Sequence, residues 1–498
     1  MHRHRLTALA ASVALGAGLL AATGATPVAA APGHAPNTST GTKESTGGKS
    51  DADFDGDGHR DLVMLGGDDG ADGRVTVVYG GSGGPDTTRK QVISQNSPGI
   101  PGNVEKGDGW GTSATSADLD GDGYTDLVVS SPGEDTDTAV DQGGLTVIWG
   151  GPSGLGEGKV YYSPLAGDSF GEHVVAGDFD ADGDQDLAGS TTQAGGVVVL
   201  QGPFTRDGSH DATAFLTTER ADSRVTDLVA GDIDGTDEGT DLYVIRSNYP
   251  SDKDGGGYAV FYSGASTDAF RDPDGYVYIP DGADLSGFDL HGAVGDFDND
   301  GFDDLAVGDD FAGTRGAVHV LYGSKNGPDT FRPLGLITQN TPGVPGNEEA
   351  GDYFGQALGA GDTDGDGYDD LAVGAAGEDL GTTTDAGTVV VLRGGAGGLS
   401  GTGATAYDQD TPDITGAPEK GDAFGGSVKL TDLNGDGRAD LLVSADGEQL
   451  GATPGAKVGL VHLLWSGGPG GITPTGSTSY STVNLQLPYK RLSGPFLK

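Results

Sequence analysis

The sequence has 498 residues, including 94 glycines and no cysteine, and its formal net charge is −48 at pH 7. The absence of cysteine excludes disulfides, zinc–thiolate sites and thiol catalysis. The negative charge argues against a nucleic acid or an anionic membrane as partner, because phosphate binding needs clusters of Lys and Arg. Divalent cations and basic or neutral ligands suit this charge better.

The first thirty residues have the pattern of a secretory signal peptide. Basic residues at 2–5 precede the apolar run LTALAASVALGAGLL, and small residues at 28–30 suit a cleavage site. We expect cleavage after Ala30 rather than a membrane anchor, because the apolar run is short and broken by glycine. Residues 31–50 are rich in Pro, Ser, Thr and Gly and are expected to be a disordered linker. The mature chain is therefore predicted to be secreted and extracellular, without membrane insertion.

From residue 51 onward, one unit repeats seven times. Its clearest segment reads GDTDGDGYDDLAVG at 361–374. Five related segments lie at 50–65, 117–130, 177–190, 295–308 and 431–444, and a damaged copy lies at 231–244. The first aspartates of neighbouring copies are 54 to 70 residues apart, which is the period of a repeat architecture.

Each unit reads as four β-strands joined by turns. A short run precedes the acidic segment, a run such as DLAVG follows it, and an alternating run such as TVVVLR comes next. A glycine-rich turn and a weaker last strand complete the unit, and no segment has the pattern of an amphipathic helix. Residues 51–498 are therefore predicted to form an all-β, seven-bladed β-propeller of four-stranded blades with calcium-binding loops.

The two ends of the repeat array indicate how the ring closes. Unit one begins at its acidic segment without a preceding strand, whereas residues 477–498 exceed what a seventh unit needs. We expect part of this last segment to supply the missing strand or otherwise to join the first blade to the seventh.

The acidic segment follows the pattern D-x-[DN]-x-D-G-x-x-D. Carboxylates at positions 1, 3 and 5 converge when the backbone wraps around a point, and such oxygen ligands suit calcium. Glycine at position 6 permits a positive φ, position 7 offers its carbonyl oxygen, and position 9 completes the shell. An ordinary Asp/Gly turn without metal is the simpler alternative, but six intact copies favour calcium. The predicted ligands are Asp53, Asp55, Asp57, His59, Asp61, Asp118, Asp120, Asp122, Tyr124, Asp126, Asp178, Asp180, Asp182, Asp184, Asp186, Asp296, Asp298, Asp300, Phe302, Asp304, Asp362, Asp364, Asp366, Tyr368, Asp370, Asp432, Asn434, Asp436, Arg438 and Asp440.

Two comparisons limit this assignment. An EF-hand needs a glutamate at position 12 and flanking helices, whereas here a strand-like run follows position 9. The fourth unit keeps Asp232 and Asp234 but has Thr236 at position 5, with Asp237 and Asp241 one residue late. We leave this fourth loop out of the predicted metal sites.

With its acidic loops in place, the sequence resembles the FG-GAP repeat family, to which the propellers of integrin α-subunits belong. The naming motif occurs as Trp-Gly at 110–111 and as Phe-Gly at 170–171, 354–355 and 424–425. Looser counterparts of its second half are SSPGED at 130–135, GAAGED at 374–379 and SADGEQ at 444–449. The resemblance implies that calcium is structural and that its loops lie on the face opposite the one that meets partners.

Three long connections are close relatives of one another and could form a binding rim on that opposite face. They span 93–111, 337–355 and 407–425, and each is rich in Pro and Gly. Each carries a pair of acids, namely Glu105 with Asp108, Glu349 with Asp352, and Glu419 with Asp422. The alternative is that they are stiff connectors that share a turn.

The sequence offers no convincing catalytic group. Ser82 matches G-x-S-x-G only inside a glycine-rich turn that recurs in other units, and His173, His291 and His319 lack a consistent acidic partner. We therefore predict a non-enzymatic, monomeric binding or cell-adhesion module whose partner is an extracellular protein or glycan. The alternative is a lectin or carbohydrate-active enzyme on the same propeller, although Trp110 and Trp149 stand at strand positions typical of a core.

Overall fold

A computed structural model gives the fold of the protein. The description covers residues 52–68, 72–192, 196–216, 223–236, 239–247, 257–264, 275–279, 290–310, 315–449, 457–494 and 496–497. The predicted signal peptide and linker lie outside these residues. Within the described part of the chain the regular structure is β-strand, and no helix long and apolar enough to cross a membrane is found there.

The strands form seven antiparallel sheets of four strands each, as predicted. The first sheet contains β1 (Leu62–Asp68), β2 (Asp72–Val78), β3 (Lys90–Ile93) and the last strand of the chain, β28 (Arg491–Ser493). Blades two to four contain β4 (Ala114–Ala117), β5 (Asp126–Ser131), β6 (Gly144–Ile148), β7 (Gly158–Tyr162), β8 (Val174–Gly177), β9 (Asp186–Ser190), β10 (Val197–Leu200), β11 (Thr213–Leu216), β12 (Arg224–Gly231), β13 (Asp241–Ser247), β14 (Gly257–Tyr262) and β15 (Gly275–Ile279). Blades five to seven contain β16 (Leu290–Gly295), β17 (Asp304–Asp309), β18 (Ala317–Leu321), β19 (Gly335–Ile337), β20 (Ala357–Gly361), β21 (Asp370–Ala375), β22 (Thr388–Arg393), β23 (Ser400–Tyr407), β24 (Phe424–Thr431), β25 (Asp440–Ala445), β26 (Leu460–Ser466) and β27 (Ile472–Tyr480).

The core lies between neighbouring blades. In the second blade every residue of β5 and β6 is buried, whereas β7 is largely half-buried. Apolar side chains on both faces of the middle strands therefore have a blade to pack against. Val318 and Val320 of the fifth blade, for example, share one cluster with Val373 and Val390 of the sixth. Burial of each such side chain contributes about 1.5–3 kcal/mol relative to its exposure to water.

The Phe-Gly motif is part of this contact between blades. Phe170, Phe354 and Phe424 are fully buried, and each forms a bridge with a glycine of the preceding blade, at 143, 316 and 387 respectively. At Gly143, where φ is +71°, an added Cβ would lie 2.1 Å from the backbone nitrogen of Phe170. Glycine is therefore required on both backbone and packing grounds where one blade meets the next.

The ring closes through the C-terminal segment, as expected from the sequence. β28 pairs with β1 in antiparallel register, with Leu65 opposite Ser493 and Gly67 opposite Arg491. Leu492 is fully buried in a cluster that includes Leu62 of the first blade and Leu442 of the seventh. The innermost strand of the first blade is thus supplied by the end of the chain.

The inner strands of blades two to seven, together with Leu62 and Val63 of β1 and residues 496–497, line a central cavity of about 770 Å³. Because the strands of a blade are antiparallel, the turns between its first and second strands and between its third and fourth strands lie at one edge. We call this the acidic edge, because it carries the acidic loops. The turns between second and third strands lie at the other edge, together with the connections between blades, and we call this the connection edge.

Candidate metal centre

In blades two to seven, each acidic loop joins the inner strand to the second strand, whereas the loop of the first blade precedes β1 with no strand before it among the described residues. In the second blade, Asp118 follows β4 directly and Asp126 is the first residue of β5. The same placement recurs in blades three, five, six and seven, where position 1 directly follows one strand and position 9 begins the next. A strand therefore fixes each end of the acidic loop in blades two to seven.

The first aspartate of an intact loop organises the backbone that follows it. In loop two, the N–H groups of Asp122 and Gly123 donate to the two oxygens of Asp118 at 3.1 and 2.9 Å. Equivalent bonds form in loops one, three and five, from positions 5 and 6 to Asp53, Asp178 and Asp296. The wrap predicted from the sequence is therefore present in the backbone.

Carboxylate oxygens converge in this wrap. Oxygen atoms from positions 1, 3 and 5 lie within 4.8 Å of one another in loops one, two and five, and those from positions 1, 3 and 9 do so in loop three. In loop two the groups are Asp118, Asp120 and Asp122. The carbonyl oxygens of position 7 remain predicted ligands on the basis of the sequence pattern.

The aspartates at position 3 show whether the residues of the loops suit a bound cation. Oδ1 of Asp55, Asp120, Asp180 and Asp298 is buried and has no hydrogen-bond partner. A buried acceptor without a partner is costly, because it has lost water and gained nothing in exchange. A hard cation that takes oxygen ligands would satisfy these atoms, so the residues present fit calcium.

The aspartate at position 9 of the loop also accepts hydrogen bonds from the backbone. Asp126 is fully buried, and its two oxygens accept the N–H of Leu119 at 2.9 Å and the N–H of Gly150 at 2.8 Å. The corresponding residues of the other blades make the same two bonds, for example Asp186 with Phe179 and Gly202. This carboxylate therefore ties the loop to the third strand of its own blade.

Burial and mutual repulsion make these carboxyl groups hard to ionise. Burial raises the pKa of Asp126 to about 7 and of Asp186 to about 8, against the hydrogen bonds from backbone N–H groups that lower it. Burial is also the main cause of the raised pKa of Asp180, and the charges of Asp182 and Asp178 raise it further. A divalent cation would favour the ionised forms.

The backbone adopts a positive φ at two positions of the loop, of which the sequence analysis identified one. At position 6, φ is +85° for Gly58 and +91° for Gly123, as the pattern predicts. Position 4 also has a positive φ, at +69° for Gly121, +58° for Ala181 and +52° for Asn299. The small or Asn residues at position 4 were a usable signal, because these residues adopt this conformation most readily.

The fourth loop keeps part of the site. Oxygens of Asp232, Asp234 and Asp241 lie within 4.8 Å of one another, although position 5 is Thr236. The hydroxyl of Thr236 donates to Asp234 at 2.7 Å, and the hydroxyl of Ser263 donates to its other oxygen at 2.9 Å. Asp237 lies outside the described residues.

Cationic and amide side chains that the sequence analysis missed lie against the loops. Arg89, Arg206, Arg332 and Arg393 form ion pairs with aspartates of loops one, two, five and six. In loop three, Gln201 donates to Asp180. Arg89 and Arg332 both lie 34 residues after the third aspartate that they bind, in the related segments GPDTTR (84–89) and GPDTFR (327–332), so a usable signal existed for these two. Arg206 and Arg393 do not share this spacing.

The connection edge carries a different repeated arrangement. Gln95, Gln339 and Gln409 each donate to a glutamate 39 residues later, at 2.6 Å in every case. Asp108, Asp352 and Asp422 are buried, and their Oδ2 atoms accept the N–H of Glu105, Glu349 and Glu419 at 2.8, 2.6 and 2.5 Å. The aspartate of each predicted acid pair thus fixes a turn, whereas the glutamate side chain is exposed.

The residues weighed as catalytic candidates lie in unrelated places. Ser82 is exposed in a tight turn whose counterparts lie at 152–154 and 325–327. His319 is buried, and burial lowers its pKa to about 4. Trp110 and Trp149 are buried, as predicted, but neither lies in a strand: Trp110 lies in a turn before β4, and Trp149 directly follows β6.

Comparison with protein families identifies the repeats. The FG-GAP repeat family matches residues 110–161, 290–321, 354–392 and 424–464, and the FG-GAP-like repeat family matches residues 53–129. The matched segments cover the Trp-Gly motif, the last two Phe-Gly motifs and five of the six intact acidic loops.

Curated relatives match parts of the chain. Integrin alpha-5 of Xenopus laevis is 30% identical over 245 residues, which are 45% of this chain and 21% of that protein. Integrin alpha-PS2 of Drosophila melanogaster is 33% identical over 223 residues, 42% of this chain and 15% of that protein. Phosphatidylinositol-glycan-specific phospholipase D of Bos taurus is 34% identical over 179 residues, 32% of this chain and 21% of that protein. The chain therefore spans about a fifth or less of the length of these relatives.

Proposed function

Because the chain is an FG-GAP repeat protein that resembles the integrin α-subunits, we propose that it is a secreted, calcium-stabilised binding module of the cell-adhesion type. The observation that carries the proposal is the set of buried, unpartnered Oδ1 atoms in the acidic loops, at Asp55, Asp120, Asp180 and Asp298. These atoms lie in the loops whose spacing is typical of calcium ligands.

Calcium has a structural role in this proposal. The residues that would hold it in loop two are Asp118, Asp120, Asp122 and Asp126, with the carbonyl oxygen of Tyr124. The ion supplies positive charge where buried carboxylates repel one another. Since the loop joins two strands of one blade, binding of the ion stabilises the folded state by mass action.

The proposed contact surface is the connection edge. Its three related connections are held by repeated Gln–Glu and turn hydrogen bonds, so their exposed residues are presented on an ordered backbone. Pre-ordered loops lose little entropy on binding, which favours recognition. The acidic edge, by contrast, is occupied by the shells of the predicted ions.

A catalytic role has less support. Ser82 lacks a base within the turn that carries it, and the two buried tryptophans offer no stacking surface for sugar. The phospholipase relative matches over about a fifth of its own length, so its activity does not transfer to this chain. We therefore propose a non-enzymatic module whose partner is an extracellular protein or glycan.

The partner can be sought with the purified protein on glycan arrays and panels of extracellular proteins, with calcium or with a chelator. We expect binding in calcium that is weakened at least several-fold by Glu349→Lys, on the connection edge. The matched control is Asp207→Lys, an exposed residue in a turn of the acidic edge, which should bind normally. Loss of binding in the control alone, or hydrolysis of an array sugar, would contradict the proposal.

A further inference from the structure

The arginines of the acidic edge share one geometry. Arg206 donates from Nε to Oδ2 of Asp120 and from Nη2 to Oδ2 of Asp122, both at 2.7 Å. Arg332 donates to Oδ2 of Asp298 at 2.5 Å. Arg89 donates to Asp55 and, at 3.0 Å, to Oδ2 of Asp57. In these three loops the guanidinium donates a hydrogen bond to the outer oxygen, Oδ2, of the aspartate at position 3.

The inner oxygen of the same carboxylates is left without a partner. Oδ1 of Asp55, Asp120 and Asp298 is buried and makes no hydrogen bond, although Oδ2 of each is paired with arginine. Arginine and a cation in the loop would therefore use different oxygens of one carboxylate. The two positive charges can be present together, and each weakens the attraction of the site for the other.

An aromatic ring holds each of these arginines in place. The guanidinium carbon lies 5.5 Å from the ring centroid of Tyr79 for Arg89, 5.5 Å from that of Trp149 for Arg206, and 3.1 Å from that of Tyr322 for Arg332. Each ring directly precedes a residue whose N–H donates to the ninth aspartate of the loop. Such contacts favour a cation over the ring face, so the position of the charge is built into the blade.

The other loops vary this arrangement. In loop six, Arg393 replaces the aromatic residue and donates directly to Asp370 at 2.7 Å. Its Nη2 also donates to the carbonyl oxygen of Gly470 in the next blade at 2.8 Å. In loop three the position belongs to neutral Gln201, which donates to Asp180. The charge beside the third carboxylate therefore differs from loop to loop.

We propose that Arg89, Arg206, Arg332 and Arg393 are tethered counter-cations that hold the acidic loops when no metal is bound and lower their calcium affinity by charge. The inference rests on the proposed calcium binding. Loop two has four carboxylates, so one calcium leaves two negative charges and Arg206 reduces them to one. Loop three, with Gln201, should bind calcium more tightly than loops one, two and five.

The calcium affinity of loop two can be measured separately from that of the other loops, because Trp149 lies beside Arg206. In a W110F/W465F background, Trp149 is the single tryptophan left, since the chain has three. Terbium bound in loop two is then sensitised by excitation of Trp149, and calcium competes it away. The midpoint of this competition reports the calcium affinity of loop two, and thermal unfolding in a chelator reports the metal-free fold.

Substitutions of Arg206 should separate its effect on calcium affinity from its effect on the stability of the metal-free protein. We expect Arg206→Gln to raise the calcium affinity of loop two about tenfold and to lower the chelated melting temperature by about 2 °C. Arg206→Lys keeps the charge and should stay near the wild-type affinity. The matched control is Arg224→Gln, which removes an exposed ion pair with Glu172 and should leave the affinity unchanged.

An unchanged or lower affinity in Arg206→Gln, with calcium still bound, overturns the inference and leaves the proposed function standing. An equal gain in Arg206→Lys also overturns it, because charge would then not be the cause. If neither terbium nor calcium binds the wild-type protein, the inference fails together with the calcium-binding part of the proposed function.

Discussion

At the scale of single residues, the aspartates of one loop have different hydrogen-bond partners. Asp126 binds two backbone N–H groups, whereas Asp120 directs Oδ2 to arginine and leaves Oδ1 unpartnered. An Asn side chain at position 126 would have one acceptor oxygen. It could therefore accept one of the two backbone N–H groups that Asp126 accepts, and the other N–H would be left without an acceptor. The two positions should therefore respond differently to calcium.

We expect Asp126→Asn to reduce the free energy of unfolding by about 2–4 kcal/mol, both in calcium and in a chelator. Asp120→Asn should reduce it mainly in calcium, because its missing interaction is with the ion. Urea unfolding of both variants under the two conditions measures this. If Asp126→Asn were destabilising in calcium alone, the ninth position would act only as a metal ligand.

The loop residues also mark the limit of sequence reasoning at this scale. Position 6 was predictable, because a D-G step inside an acidic repeat needs a positive φ, and Gly123 adopts one. Arg206 was not predictable, because it comes from the third blade and contacts a loop of the second, 84 residues away from Asp122. Such a pair depends on how blades stack, which local periodicity does not encode.

At the scale of secondary-structure elements, the closing strand is the least typical part of the ring. β28 has three residues and pairs with β1 only between Leu65 and Gly67. Side-chain contacts stabilise β28 in addition to strand pairing. Leu492 is fully buried, and the hydroxyl groups of Tyr489 and Thr76 form a hydrogen bond of 2.7 Å. The first blade therefore depends on the last residues of the chain.

Removal of this strand should weaken the whole ring. Deletion of residues 485–498 is expected to lower both the melting temperature and the cooperativity of unfolding, because the first blade loses its inner strand. Leu492→Ala should cost about 2–5 kcal/mol, whereas Val483→Ala, at a position 65% exposed, should cost little. Thermal and urea unfolding measure both, and an unchanged melt after the deletion would refute closure by this segment.

The elements themselves were predictable because alternation and turn residues are local signals. The run TVVVLR became β22, and the segment beyond unit seven supplied β28, as expected. The fourth blade was harder, because it lacks a clean Phe-Gly motif and its acidic loop is irregular. Its inner strand β12 nevertheless pairs with β13, with a register shift between Val225 and Asp227.

At the scale of the whole molecule, the propeller divides its chemistry between two edges. The acidic edge carries the carboxylates, the arginines and the aromatic rings, and the connection edge carries the ordered long connections. A calcium-bound acidic edge would reduce the net charge of −48 and the self-repulsion that comes with it. The proposed calcium binding would therefore affect the stability of the ring as a whole.

The most direct test combines calcium stoichiometry with thermal unfolding of the wild-type protein. We predict about six bound calcium ions per chain, one for each intact loop, and a melting temperature that falls on chelation and recovers when calcium is restored. A result of less than about one bound calcium per chain, with no change in melting temperature on chelation, would contradict the account.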